Sequence, residues 1–200
     1  MPAHLVNAYY SPDSNTIVFP AAILQAPFYS LDQSSSQNYG GIGAVIAHEI
    51  SHAFDNNGAQ FDKEGNLNKW WLDKDYEAFE EKQKEMIELF DGGETEAGPA
   101  NGKLIVSENI ADQGGITAAL TAAKEEDDVD LKAFFSQWAK IWRMKASTEF
   151  QQMLLSMDVH APAKLRANIP PTNLEEFYET FDVKETDQMY RAPEKRLKIW

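Results

Sequence analysis

The stretch Gly40-Gly-Ile-Gly-Ala-Val-Ile-Ala-His-Glu-Ile-Ser-His-Ala-Phe-Asp55 decides how the rest of the chain is read. Run as a helix, it sets His48 and His52 four residues apart, on one face and one turn from each other. Two neutral imidazoles at that spacing reach one small cation. Glu49 then sits beside the metal, where a carboxylate holds a water instead of ligating. Ile42, Val45, Ile46, Ile50, Ala53 and Phe54 make the segment apolar over most of its surface, which predicts a helix buried in a core. A charged Glu49 inside such a helix needs a partner, and a metal with its water supplies one. The competing reading is a partly buried helix that happens to carry two histidines.

Tetrahedral zinc needs a third protein ligand, with the fourth position left to water. Glu108, in Ser107-Glu-Asn-Ile-Ala-Asp112, is the best candidate. Ser107 reads as an N-cap, so a second helix is expected after a strand-like Lys103-Leu-Ile-Val106. Glu108 and Asp112 then share a face. One ligates while the other accepts the free N–H of a ligating histidine, and Asp55 is placed to do the same for the second histidine. Taken without the first motif, the acidic pair reads as an ordinary solvated helix face.

With these residues in place, the chain resembles the neprilysin family of zinc metallopeptidases, specifically the C-terminal part of their catalytic domain. The resemblance runs from Val6-Asn-Ala-Tyr-Tyr10 through Ile17-Val-Phe-Pro20, Ile23-Leu-Gln-Ala-Pro-Phe28 and Asn38-Tyr-Gly-Gly-Ile-Gly43. It continues through the two metal motifs and Asp158-Val-His-Ala-Pro162 to the terminal Trp200. It implies one Zn²⁺ per chain on His48, His52 and Glu108, with Glu49 assisting attack of water on the scissile carbonyl. It further implies that His160 steadies the oxyanion and that Arg166 grips the substrate backbone. Asn7 and Ala8 bind the substrate main chain, and Phe28, Val45 and Trp142 shape a pocket for a large apolar residue after the scissile bond. The substrates so implied are oligopeptides. Read without the family, Asn7 is a structural polar residue near a strand start, and a lone His160 before Ala-Pro is structural or exposed.

Length and charge narrow the alternatives. Two hundred residues suffice for one domain with a sizeable core. Net charge is −14, which argues against nucleic acid or an anionic membrane as partner. The chain has no cysteine, so neither a disulfide nor a thiolate ligand is available. Relatives outside bacteria are typically disulfide-bonded ectodomains, so the resemblance points to a bacterial protein. No signal peptide opens the chain and no run approaches a membrane span. A cytoplasmic bacterial protein is favoured, with an extracytoplasmic place open to a full-length parent. The expected organisation is a single catalytic domain over residues 1–200, without the large helical domain of that parent. Surface normally covered by it would invite self-association. Two other functions stay in view: a zinc-binding but inactive fragment that needs its missing half, and a metal-free helical interaction module.

The expected fold is mainly α, α+β in the zincin manner: the metal helix packed on a second metal-ligand helix, with a small strand region over residues 4–20. Helices are expected near Asp73–Phe90, 107–124, 131–143, 148–157 and 174–181. Asp91–Gly102 reads as a long exposed loop. Gly114-Gly115, in the middle of the second metal helix, predicts close packing against another backbone.

Overall fold

The computed structural model describes residues 1–200. Eight α-helices and two short hairpins make the chain mainly helical. The first hairpin pairs β1 (Tyr9–Ser11) with β2 (Thr16–Val18), antiparallel, Tyr10 opposite Ile17. Residues 4–8, expected to be extended, precede the pairing, and Val6 is exposed there.

One helical stretch carries the metal motif. It starts at α1 (Ser35–Asn38), where Ser34 accepts from Gln37 N and Gln37 returns a bond to Ser34 N. That reciprocal pair is a capping box, which satisfies two of the orphan donors of a helix start. A π-helical turn over Tyr39–Gly43 leads into α2 (Ala44–Ser51), and a 3₁₀ turn, His52–Phe54, closes it. Gly40 and Gly41 lie so close to the backbone carbonyls of Phe134 and Phe28 that no β-carbon fits at either.

α3 (Asp73–Phe90) keeps the expected boundaries and buries Phe79, Met86 and Phe90. The following segment is largely exposed or half-buried, as expected, but it is not a plain loop. It folds as a hairpin of β3 (Glu94–Thr95) and β4 (Gly98–Pro99), and Ala100 is buried directly after it. Lys103–Val106 is not a strand either. The Asn101 carboxamide oxygen accepts from Lys103 N and Leu104 N, which turns the chain, and Ile105 and Val106 enter the core. α4 (Val106–Ala123) therefore begins one residue before Ser107, whose hydroxyl caps nothing and is used elsewhere. α5 (Leu131–Ile141), α6 (Thr148–Met157), α7 (Ala163–Asn168) and α8 (Glu175–Phe181) complete the helices.

α4 is the axis of the molecule. Ile116, Ala119, Leu120 and Ala123 pack with Phe134, Phe135, Trp138 and Phe177. Val106 and Ile110, at its other end, pack with Phe79, Met86, Phe90 and Leu165. Its middle lies directly against α2. A β-carbon on Gly115 would sit 2.8 Å from Ala44 O and 2.9 Å from His48 N, both backbone atoms. Gly115→Ala is thus expected to destabilise the chain by about 1–3 kcal/mol, the usual cost of overpacking, because backbone cannot swing aside. Urea unfolding of the variant, read by tryptophan fluorescence, checks this. An unchanged midpoint would mean that the two helices are not in such contact.

α2 is less buried than its composition predicts. Ala44, Val45, His48, Glu49 and Ser51 are buried against α4, whereas Ile46, Ile50 and Phe54 are 38%, 49% and 39% exposed. The physical reason is that α4 covers one side of the helix and leaves Ile46 and Ile50 on the other, while Phe54, in the turn that follows, is only partly covered by Trp70 and Trp200. No helix is long and apolar enough to cross a membrane.

Candidate metal centre

Four elements bring the site together. α2 and the turn after it present His48, Glu49 and His52; the first turn of α4 presents Glu108; the segment before α7 presents His160; α7 presents Arg166. Twelve of the thirteen residues singled out in the sequence line one cleft of about 410 Å³: Asn7, Ala8, Phe28, Val45, His48, Glu49, His52, Asp55, Glu108, Trp142, His160 and Arg166. The thirteenth, Asp112, lies beneath its floor at 1% exposure.

The two histidines meet edge to face, ring centroids 4.6 Å apart, with their Nε2 atoms 3.0 Å from each other. Each has its far nitrogen held by a carboxylate. His48 Nδ1 lies 2.8 Å from Asp112 Oδ1, and His52 Nδ1 lies 2.7 Å from Asp55 Oδ2. An Nδ1–H donated to a carboxylate leaves the Nε2 lone pair facing inward, towards the other ring. Glu108 Oε2 sits 3.3 Å from His48 Nε2, 3.5 Å from His52 Nε2 and 3.2 Å from His160 Nε2. It is buried and still lacks a hydrogen bond of acceptable geometry.

A buried carboxylate oxygen facing three imidazole nitrogens, without a well-formed hydrogen bond to any of them, is what a divalent cation would satisfy. Two imidazole nitrogens and one carboxylate oxygen form a donor set that suits zinc. Glu49 also comes near, its carboxylate and the two ring nitrogens falling within 4.8 Å of one another. Glu108 makes the closer set, with every separation at or below 3.5 Å.

The electrostatics follow from this crowding. Burial disfavours protonated His52, but its hydrogen bond to Asp55, the nearby Glu108 and the charges of both carboxylates outweigh burial and push it up to about 10. His48 is raised too, burial again opposing its bonds to Asp112 and Glu108. Burial raises Glu108, yet the close approach of His48 and His52 carries it far below the ordinary carboxylate range. Glu49 moves the other way: burial raises it, and the two histidines only partly offset that.

Asp112 is the junction beneath the site. Arg166 donates through Nε to Oδ2 at 2.6 Å and through Nη2 to Oδ1 at 2.9 Å, a bidentate fork onto the carboxylate that holds His48. The same guanidinium stacks on the Trp142 ring, 3.6 Å from its centroid. Trp142 in turn meets Phe28 edge to face at 6.5 Å, while Val45 packs with Ala8, Ile23, Ile42 and Ile141. Arg166 thus has a structural partner that sequence reading did not assign to it.

Three further residues were missed. Asp158 Oδ1 accepts from His160 N at 3.0 Å and lies 2.8 Å from His160 Nδ1, so it sets the ring's direction. The signal was there, an aspartate two residues before the histidine. Ser107 and Asn57 join the hydrogen bonds around Asp55. Nothing local marks them, because their bonds to each other cross fifty residues.

The fold and this site together lay an HExxH helix on a second, carboxylate-bearing helix. The model of peptidase family M13 matches residues 7–197. A neutral endopeptidase of Lactococcus lactis subsp. lactis (strain IL1403) is 94% identical over 200 residues, which are all of this chain and 32% of that protein. The crystal structure of PEPO from Lactobacillus rhamnosis HN001 superposes with a TM-score of 0.94 at 50% identity, over 100% of this chain and 32% of the other. The Mycobacterium tuberculosis zinc metalloprotease ZMP1, solved with an inhibitor, gives 0.93 at 39% identity, over 99% of this chain and 33% of its own. The chain belongs to peptidase family M13. It spans about a third of the length of the relatives it matches.

Proposed function

We propose that residues 1–200 form one catalytic unit of a zinc-dependent endopeptidase, in which His48, His52 and Glu108 hold one zinc ion. The observation that carries this is the convergence of His48 Nε2, His52 Nε2 and Glu108 Oε2, with both histidines oriented from behind by carboxylates. Bound zinc supplies Lewis acidity, polarising the scissile carbonyl and making water more acidic at the site. Glu49 is the proton carrier. Its carboxylate takes a proton from the attacking water and then returns it to the leaving amine. His160, its ring set by Asp158, directs Nε2 into the cleft; with a proton on both ring nitrogens it would donate from Nε2 to the oxyanion while Asp158 accepts from Nδ1.

Substrate binding follows from the walls. Asn7 and Ala8 lie beside β1 at the rim of the cleft, positioned to pair with an extended peptide backbone. Arg166 has Nη1 free of the fork to Asp112, so it can hold a substrate carbonyl while anchored below. Phe28, Val45 and Trp142 form the apolar wall that receives a large side chain after the scissile bond. Phe28→Ala is expected to reduce the preference for Phe over Ala at that position by about 10–100-fold in kcat/KM, the value of a few buried carbons. Paired peptides differing only there would measure it, and an unchanged ratio would remove Phe28 from the pocket.

One observation favours a second reading. The exposed face of α2, Ile46 and Ile50, together with a span of one third of its relatives, suits a fragment that binds zinc but needs the remaining chain to cleave. Cleavage of a quenched oligopeptide with Phe or Leu after the scissile bond decides between them. Chelator-sensitive cleavage by the purified chain supports the endopeptidase. Zinc bound without cleavage supports the fragment, and the same face then predicts self-association in solution.

A further inference from the structure

Asp55 is almost fully enclosed, at 2% exposure, and every lone-pair direction of its carboxylate is occupied. Oδ1 accepts from the backbone N–H groups of Asn57 at 2.7 Å and Gly58 at 2.8 Å. Oδ2 accepts from His52 Nδ1 at 2.7 Å and from Ser107 Oγ at 2.6 Å. The direction of the last bond is fixed by its neighbour. Asn57 Nδ2 lies 3.0 Å from Ser107 Oγ and can only donate to it, so the single hydroxyl proton of Ser107 is directed to Asp55.

Ser107 is therefore a connector, and its place in the chain makes the connection matter. It stands immediately before Glu108, in the first turn of α4, while Asp55 lies beyond the 3₁₀ turn that carries His52. The Ser107–Asp55 bond joins the two elements that present opposite sides of the donor set. The same elements also meet at the backbone contact of Gly115, two turns farther along α4, in the bond from His48 to Asp112, and where Glu108 Oε2 lies 3.5 Å from His52 Nε2. Of these, the Ser107–Asp55 bond alone reaches the Nδ1 side of His52.

We infer that Ser107 is a positioning residue for the metal centre. Through Asp55 it holds His52 in its ligating direction and ties that histidine to the turn bearing Glu108. The inference rests on the zinc reading given above and adds a residue to it. Ser107 touches no ligand itself. Its effect is expected in how firmly zinc is held, with the fold left as it is.

The test is the rate at which zinc passes from the loaded chain to an excess of chelator, followed with the melting temperature of the zinc-free chain. Ser107→Ala is expected to speed zinc loss about 10-fold, the lower end of the effect of removing an outer partner of a ligand. Losing one bond to the buried Asp55 carboxylate should lower the melting temperature of the zinc-free chain by only a few degrees, since the other three bonds to that carboxylate remain. Ser107→Thr restores the hydroxyl and should restore slow release. In an Asp55→Ala background, Ser107→Ala should add nothing, because the residue acts through that carboxylate. The inference is overturned if wild type and Ser107→Ala release zinc at the same rate. It is equally overturned if the two substitutions add independently, or if Ser107→Thr keeps the melting temperature of the wild type without restoring slow release. A wild-type chain that binds no zinc would defeat the zinc reading itself, and Ser107 with it.

Discussion

Glu49→Gln is expected to lower kcat by roughly 10²–10⁴-fold, the usual contribution of a general base, while zinc remains bound. The two side chains have nearly the same shape, so the cleft is preserved. What is lost is the proton acceptor. Glu49 is 5% exposed and its carboxyl is raised by burial, with His48 and His52 working against that. A base moved up from the ordinary carboxylate range holds a proton more firmly between its acceptance from water and its delivery to the amine. Glu108, by contrast, is held well below that range by the same histidines and is poorly suited to carrying a proton. Environment thus separates the two glutamates, which suits Glu49 to the proposed carrier role and Glu108 to the proposed ligand role. Steady-state cleavage and metal content of the variant give the answer together. Full activity in Glu49→Gln would remove it from the mechanism, and loss of zinc would make it a ligand.

The second large effect lies under the floor of the cleft. Arg166→Met is expected to destabilise the zinc-free chain by about 3–5 kcal/mol, the cost of stranding one member of a buried pair. Asp112 is 1% exposed, and burial would raise it; the charge of Arg166, with help from His48, brings it below its ordinary value instead. Methionine keeps the apolar volume over Trp142 but leaves the carboxylate with His48 as its remaining partner. Arg166→Lys should recover only part of the loss, since an ammonium cannot make the two parallel bonds. Urea unfolding of the zinc-free variants measures both. A change below about 1 kcal/mol would mean that Asp112 reaches water or is protonated without Arg166, and that the fork does not anchor the site.

How much of this is visible in the sequence depends on the range of each interaction. The metal helix, α3 and α6 are written in apolar spacing and local caps, which act within one or two turns; Ser147, for example, accepts from Phe150 N at the start of α6. Gly114-Gly115 is legible for a related reason. Two glycines at mid-helix are costly, and close approach of another backbone is the common compensation. The face of α2 that stays open is not legible, because apolar residues state a preference for burial and do not name what covers them. Lys103–Val106 misleads in the same way: four residues apolar enough for a strand are drawn into the core by a turn that Asn101 makes. The pairs Ser107–Asp55 and Arg166–Asp112 span 52 and 54 residues, and no periodicity reaches that far. The site residues were legible as a set only because their order along the chain matched a known family. Their spacing alone supports the two histidines and leaves the acidic residues ambiguous.

The central claim is that His48, His52 and Glu108 share one zinc ion. Anomalous diffraction at the zinc absorption edge, from crystals of the zinc-loaded chain, tests it most directly. The account predicts a single strong peak between His48 Nε2, His52 Nε2 and Glu108 Oε2, with Glu49 outside bonding distance. A peak bonded to Glu49 in place of Glu108, a peak elsewhere, or none at all would contradict it.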